Sequence, residues 1–180
     1  MGNIAGFQSS AMNPVNFQIG VMTRGAIMGE TIGLVALEDM VVGAAAFEED
    51  YNPVLNASGR MTNTGGTLQF AGVITRSNTT SSSQFYQQGY SNIIPAGQEA
   101  QVMQRGSIPV LIAVANEAGG IPKKGSVVWA MNNGTFQTQL PGTAVSGGVA
   151  TNLRVMQLST GTYVANSTPV VITNTQNMGV

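Results

Sequence analysis

LQFAGVITRS (68–77), IIPAGQEAQVMQRGSIPVLIAV (93–114) and SVVWAMNNGTFQTQ (126–139) are the segments whose reading decides the fold. In the first, Leu68, Phe70, Gly72 and Ile74 alternate with Gln69, Ala71, Val73 and Thr75, the period of a strand. Gly72 inside that pattern marks a place where a neighbouring backbone or ring comes close. In the second, Ile93–Gly97 turns into Gln101–Gln104, Arg105-Gly106-Ser107 reads as a tight turn, and Ile108–Ala115 is a strongly apolar strand. Together they predict a hairpin. Pro109 has no N–H to give to a ladder, which places it near an edge or at the start of its strand. In the third, Ser126–Met131 and Thr135–Gln139 flank Asn132-Asn133-Gly134. Asn-Gly between two strand-like runs predicts a hairpin with a type I′ turn. Trp129, the only Trp of the chain, is expected to anchor the core or its margin.

Outward from this centre the same grammar continues. Residues 29–47 give a strand over Ile32–Leu37, a turn at Glu38-Asp39 and a second strand over Met40–Phe47, with Gly43 marking a bulge or close approach. A helix over Leu34–Phe47 is the competing reading, since Ala and Leu favour helices. Residues 48–67 are dense in Asx, Pro and Gly and read as a long loop. Residues 76–92 form a second, Ser/Gln-rich loop that carries Phe85, Tyr86 and Tyr90. After Pro141-Gly142 come a Gly/Ser/Thr-rich bridge, a strand over Asn152–Leu158, a turn at 159–162, a return over Tyr163–Asn166 and a last strand over Pro169–Thr173. The expected class is all-β, a small barrel or sandwich. Two divisions follow: residues 1–28 as an N-terminal arm or lead-in, and 29–180 as a β-rich domain. The arm holds scattered apolar residues, Phe7 and Phe17 among them, with Asn13-Pro14 and Gly20 breaking any helix.

Composition limits the chemistry. Of 180 residues 43% are apolar, but only 8% are charged, against about 25% in an average domain. A surface so poor in charge does little to keep copies apart and suits a chain packed against other chains. The net charge is −1, and the seven basic residues are scattered except for Lys123-Lys124. Nucleic acid needs clustered cations, so no nucleic-acid partner is expected. Six of the eight acids (Glu30, Glu38, Asp39, Glu48, Glu49 and Asp50) fall in one early segment. Acidic early and mildly basic late surfaces would suit head-to-tail docking of copies, if they are not simply solvated loop charges.

With no Cys and no His, disulfides, thiolate metal sites and every Ser-His or Cys-His arrangement are excluded. Glu48-Glu49-Asp50 lacks the spacing of a calcium loop, so no metal and no cofactor is expected. No apolar run reaches the ~18 residues of a membrane span. The start, MGNIAGFQSS, lacks the pattern of a signal peptide, and Gly6 breaks the myristoylation match. No membrane partner is expected.

The order of segments carries a resemblance. An acidic, Gly-containing strand pair at 29–50 is followed by FAGVITR at 70–76, IPAGQEAQV at 94–102, RGSIPV at 105–110 and KGSVVW…NNG at 124–134. This resembles the cement, or head-decoration, proteins of tailed bacteriophages over roughly residues 29–140. The resemblance implies a small SH3-like or β-tulip-like barrel or sandwich with an extended N-terminal arm and long polar loops. It implies a structural virion protein, not an enzyme, on the outer surface of the capsid. Its partners would be the major capsid protein and itself, as a trimer or dimer. Phe7, Phe17, Phe85, Tyr86 and Tyr90 are the expected partner contacts, because aromatics in a polar background are typical interface anchors. Three alternatives stand beside it. One is another virion component, such as a tail-tube or head-joining protein. The second is a carbohydrate-binding β-sandwich using exposed Trp and Tyr. The third is a glycosidase drawing two carboxylates from Glu30, Glu38, Glu48, Glu99 and Glu117.

Overall fold

The LQFAGVIT run forms a strand as expected, but its alternation does not hold throughout: a bulge at Ala71 leaves Leu68, Phe70 and Val73 packed in one apolar cluster and Ala71 and Ile74 in the other. The computed structural model describes residues 19–20, 30–49, 60–62, 64–75, 93–158 and 162–174. Among these residues every regular element is a strand. In chain order they are β1 (Glu30–Ala36), β2 (Met40–Val41), β3 (Ala45–Glu48), β4 (Arg60–Thr62), β5 (Gln69–Ile74) and β6 (Ile93–Ile94). Then follow β7 (Glu99–Arg105), β8 (Ser107–Ala115), β9 (Val127–Met131), β10 (Phe136–Gln139), β11 (Gly148–Leu158) and β12 (Pro169–Asn174). Strands β1-β4-β3-β5-β7 close one barrel, β10-β8-β12-β11-β9 close a second, and β2-β6 form a separate ribbon. The fold is all-β, as the sequence predicts. The helix over Leu34–Phe47 does not form.

The first barrel is lined by Leu34, Ala36, Ala46, Ile74, Ala100 and Val102, with Met40 and Ile94 of the ribbon packed among them. Residues on the opposite faces of its strands (Ala45 and Phe47 of β3, Val73 of β5 and Met103 of β7) join a second cluster. That cluster continues through Ile108, Val110, Ile112, Val128, Ala130, Phe136, Leu153, Val155, Val170 and Ile172 of the second barrel. The two barrels therefore share apolar packing. It also explains why β3 reads as an unbroken run, AAF, in place of alternation: Ala45, Ala46 and Phe47 are all fully buried. Such a strand shows no polar face. Phe47 meets Phe70 edge to face, with ring centroids 6.2 Å apart and planes at 73°, the geometry aromatic quadrupoles favour.

Gly72 sits where its reading puts it. A Cβ there would overlap the carbonyl oxygen of Met103 and lie 2.7 Å from Val102 Cγ1. Only glycine lets β5 and β7 approach at that point.

Several expectations are corrected. The turn at Arg105-Gly106-Ser107 does not close a hairpin. β7 pairs with β1 and β5, whereas β8 pairs with β12 and β10. Gly106 (φ 124°) is the point where the chain leaves one barrel for the other. Its carbonyl receives Asn174 N–H at 3.1 Å, so the C-terminal strand takes the place of a hairpin partner. The loop read over 48–67 contains β4, which pairs parallel with β1 and antiparallel with β3. The strand read over Met40–Phe47 is broken by a turn between β2 and β3. β11 begins at Gly148, inside the expected bridge. Tyr163–Asn166 forms no strand. Its Val164 N–H is held by Thr168 Oγ1 at 2.8 Å, and Asn166 adopts φ 55°.

The Asn-Gly hairpin forms between β9 and β10, with a different turn. Gly134 has φ 79°, and neither Asn132 nor Asn133 has positive φ. Gly134 N–H reaches Met131 O, and Met131 N–H reaches Thr135 O, each at 2.9 Å. This is the three-residue loop, a type I turn followed by a glycine bulge, not type I′. Asn133 Oδ1 fixes it by accepting from Thr135 Oγ1 at 2.7 Å. Trp129 lies between Val128 and Ala130, which are fully buried inside the barrel. It therefore faces outward and is half-buried, not in the core. Its Nε1 is shut off from solvent with no acceptor.

Candidate functional site

The ribbon β2-β6 sets the first candidate surface. Alternation turns Met40 and Ile94 inward, so their neighbours Val41 and Ile93 must point out. These two stand opposite each other in register and are 48% and 50% exposed. The turns beside them are tied by Ala36 N–H to Gln98 O at 2.8 Å and Gly97 N–H to Ala36 O at 2.7 Å. Asp39 Oδ1 accepts from Ala96 N–H at 3.1 Å, and Glu38 accepts from Thr62 Oγ1. With exposed Glu99 this end of the molecule is apolar at the tip and acidic around it.

The second surface lies where β8 and β10 end side by side. Val114, Ile121, Leu140 and Val164 are 43–53% exposed and belong to segments that leave or cover that end. Asn166 N–H and Tyr163 O–H both bond to Ile112 O, at 3.0 and 2.9 Å, which seats the 162–168 turn against β8. Lys123 and Lys124 are exposed on the adjoining 116–125 loop. Beneath it Glu117 is 4% exposed. One of its carboxylate oxygens accepts from Thr138 Oγ1 at 2.9 Å, and the other is buried without a partner. Burial, and then the Glu117 charge, hold the Tyr163 phenol above its ordinary ionisation range.

Charge divides with the barrels. Among the described residues the first barrel and its turns carry Glu30, Glu38, Asp39, Glu48, Glu49 and Glu99 against Arg60 and Arg105. The second carries Glu117 against Lys123, Lys124 and Arg154. Glu30 and Arg105 form an ion pair at 3.4 Å, both half exposed, which contributes little to stability.

Phe7, Phe17, Phe85, Tyr86 and Tyr90 all lie outside the described residues, as does Asp50 of the acidic run. The loop that carries Phe85, Tyr86 and Tyr90 leaves after Thr75 and returns directly into Ile93. Among the described residues no group of three or more His, Cys, Asp or Glu can hold a metal ion. The five carboxylates considered for glycoside hydrolysis are divided, with Glu30, Glu38, Glu48 and Glu99 on the first barrel and Glu117 on the second. Sequence reasoning missed Val41, Ile93, Val114, Ile121, Leu140 and Val164 as surface residues. An isolated aliphatic in a short strand or loop gives no sign of which face it takes.

A family model described as "Structural cement protein (E217 gp24/Pam3 gp6)" matches residues 31–174. No curated protein matches the chain. The family match runs from the second residue of β1 to the last of β12. It thus reaches past residue 140, the limit of the resemblance read from the motifs, and takes in β11 and β12.

Proposed function

The chain belongs to the phage structural cement protein family, and we propose that it binds the outside of an assembled capsid and cements neighbouring major capsid protein subunits. The observation that carries this reading is the extent of the family match, which includes every strand of both barrels. Its role is that of a structural virion component, not an enzyme. The physical basis is multivalency. Once one contact to the shell is made, each further contact from the same molecule is effectively intramolecular. A protein that binds the assembled shell and not free subunits stabilises assembly by mass action.

Self-association as a dimer or trimer is part of the proposal. The division of charge between the barrels supports it, as does an exposed apolar group on each of the two surfaces. An acidic, apolar face and a basic, apolar face on one molecule are complementary between copies.

The loop with Phe85, Tyr86 and Tyr90 is the proposed capsid contact, together with Phe7 and Phe17 of the N-terminal arm. Alanine at Phe85, Tyr86 and Tyr90 together should weaken attachment to purified shells at least tenfold, with an unchanged thermal melt of the free protein. Attachment equal to that of the unaltered chain would exclude the loop from the interface.

A further inference from the structure

Gly43 lies in the turn between β2 and β3 with φ +82°, and its N–H is tied to Ile74 O at 2.8 Å. A Cβ at this position would overlap Ile19 Cγ2 and would lie 3.8 Å from Ile19 Cβ and 3.6 Å from Gly20 N. The side chain of Ile19 thus occupies the place that a Cβ at Gly43 would take. The next residue, Gly20, is buried and donates its N–H to Pro109 O at 3.0 Å.

Pro109 is buried on β8, opposite Val171 of β12. The N and O atoms of a strand residue point to the same side, and here that side faces Gly20. β10 does not cover it, because β10 pairs with β8 only from Ile112 onward. At Pro109 the open side of β8 therefore offers an acceptor and no donor, which a single incoming N–H satisfies. Two consecutive residues of the N-terminal segment thus engage both barrels, Ile19 at Gly43 of the first and Gly20 at Pro109 of the second.

We infer that this seam is a latch for the N-terminal segment. Ile19-Gly20 docks in its own molecule and straps the two barrels together. The nine residues between Gly20 and Glu30 can extend to about 33–36 Å, comparable to the ~30 Å diameter of a small domain. The chain can therefore return from the latch to β1 without leaving the molecule.

The chain has no cysteine, so a cysteine pair reports on the latch cleanly. In the full-length Ile19→Cys/Gly43→Cys protein the Cβ atoms would stand 3.8 Å apart, the usual separation in a disulfide. Oxidation should give a cross-linked species of monomer mass. A disulfide-linked dimer would overturn docking within one molecule in favour of exchange between copies. No cross-link in folded protein would overturn the latch altogether. Since cysteine at a left-handed position carries strain, Ile19→Cys alone provides the second test. Its thiol should react with a maleimide several-fold more slowly in the native protein than in urea. Adding Gly43→Val, whose side chain takes the seat, should remove that protection. Equal rates in native protein and urea would overturn the proposal. No capsid enters either experiment, so its failure is distinct from failure of capsid binding.

Discussion

At Gly72 the space for a side chain is already taken by backbone. The oxygen of Met103 cannot move aside as a flexible side chain would, because β7 is fixed in register against β1 and β5. Gly72→Ala should cost about 1–3 kcal/mol, the usual range for forcing atoms into a packed interior, read as a lower urea midpoint with an unchanged slope. Tyr163 gives a pH signature. In the unfolded chain its phenol ionises near pH 10, whereas burial and the Glu117 charge hold the proton on in the folded state. The folded group's pKa is thus raised. Its stabilising contribution is complete below the unfolded value and is lost as pH rises through the folded one. Urea melts of Tyr163→Phe should therefore fall less steeply than those of the parent above pH 10. A parallel decline would show that Tyr163 is not protected. The close approach at Gly72 was legible because glycine inside a strand run has few other uses, whereas the bulge beside it, which turns Phe70 and Ile74 to opposite faces, was not. The outward face of Trp129 was not, because period-two alternation says which residues share a face and not which face is inside.

Among the elements, β3 shows how two neighbours erase a sequence signal. Ala45 and Phe47 pack toward the second barrel and Ala46 into the first, so AAF carries no polar residue and a helix stood as a rival reading. Phe47 is the largest side chain in that wall and is fully buried. Phe47→Ala should cost about 3–5 kcal/mol. Because its ring belongs to the cluster common to both barrels, loss of the Trp129 fluorescence signal and loss of far-UV strand signal should shift together. If only one of the two signals shifts, the barrels unfold independently. The strands around the Asn-Gly turn were legible because they pair with their sequence neighbours. β8 is different. It was visible as a strand, but its partners β12 and β10 were not, since nothing local in IPVLIAV names Val171 or Phe136 as a neighbour. β4 was hidden for a related reason: three residues that pair with β1 and β3 carry too little pattern to stand out from a loop.

At the scale of the whole molecule, the described residues form two barrels joined by shared packing, with a mainly acidic set of charges on one and a mainly basic set on the other. The family to which it belongs consists of structural cement proteins of phages. Capsid binding is tested most directly by size from light scattering, for the protein alone and after mixing with pre-assembled, undecorated capsids. The expected result is a small discrete oligomer that co-sediments with the shells and raises their melting temperature. A discrete species that stays in the supernatant and leaves the shells' melting temperature unchanged would contradict it, as would spontaneous growth into rings or tubes without any capsid.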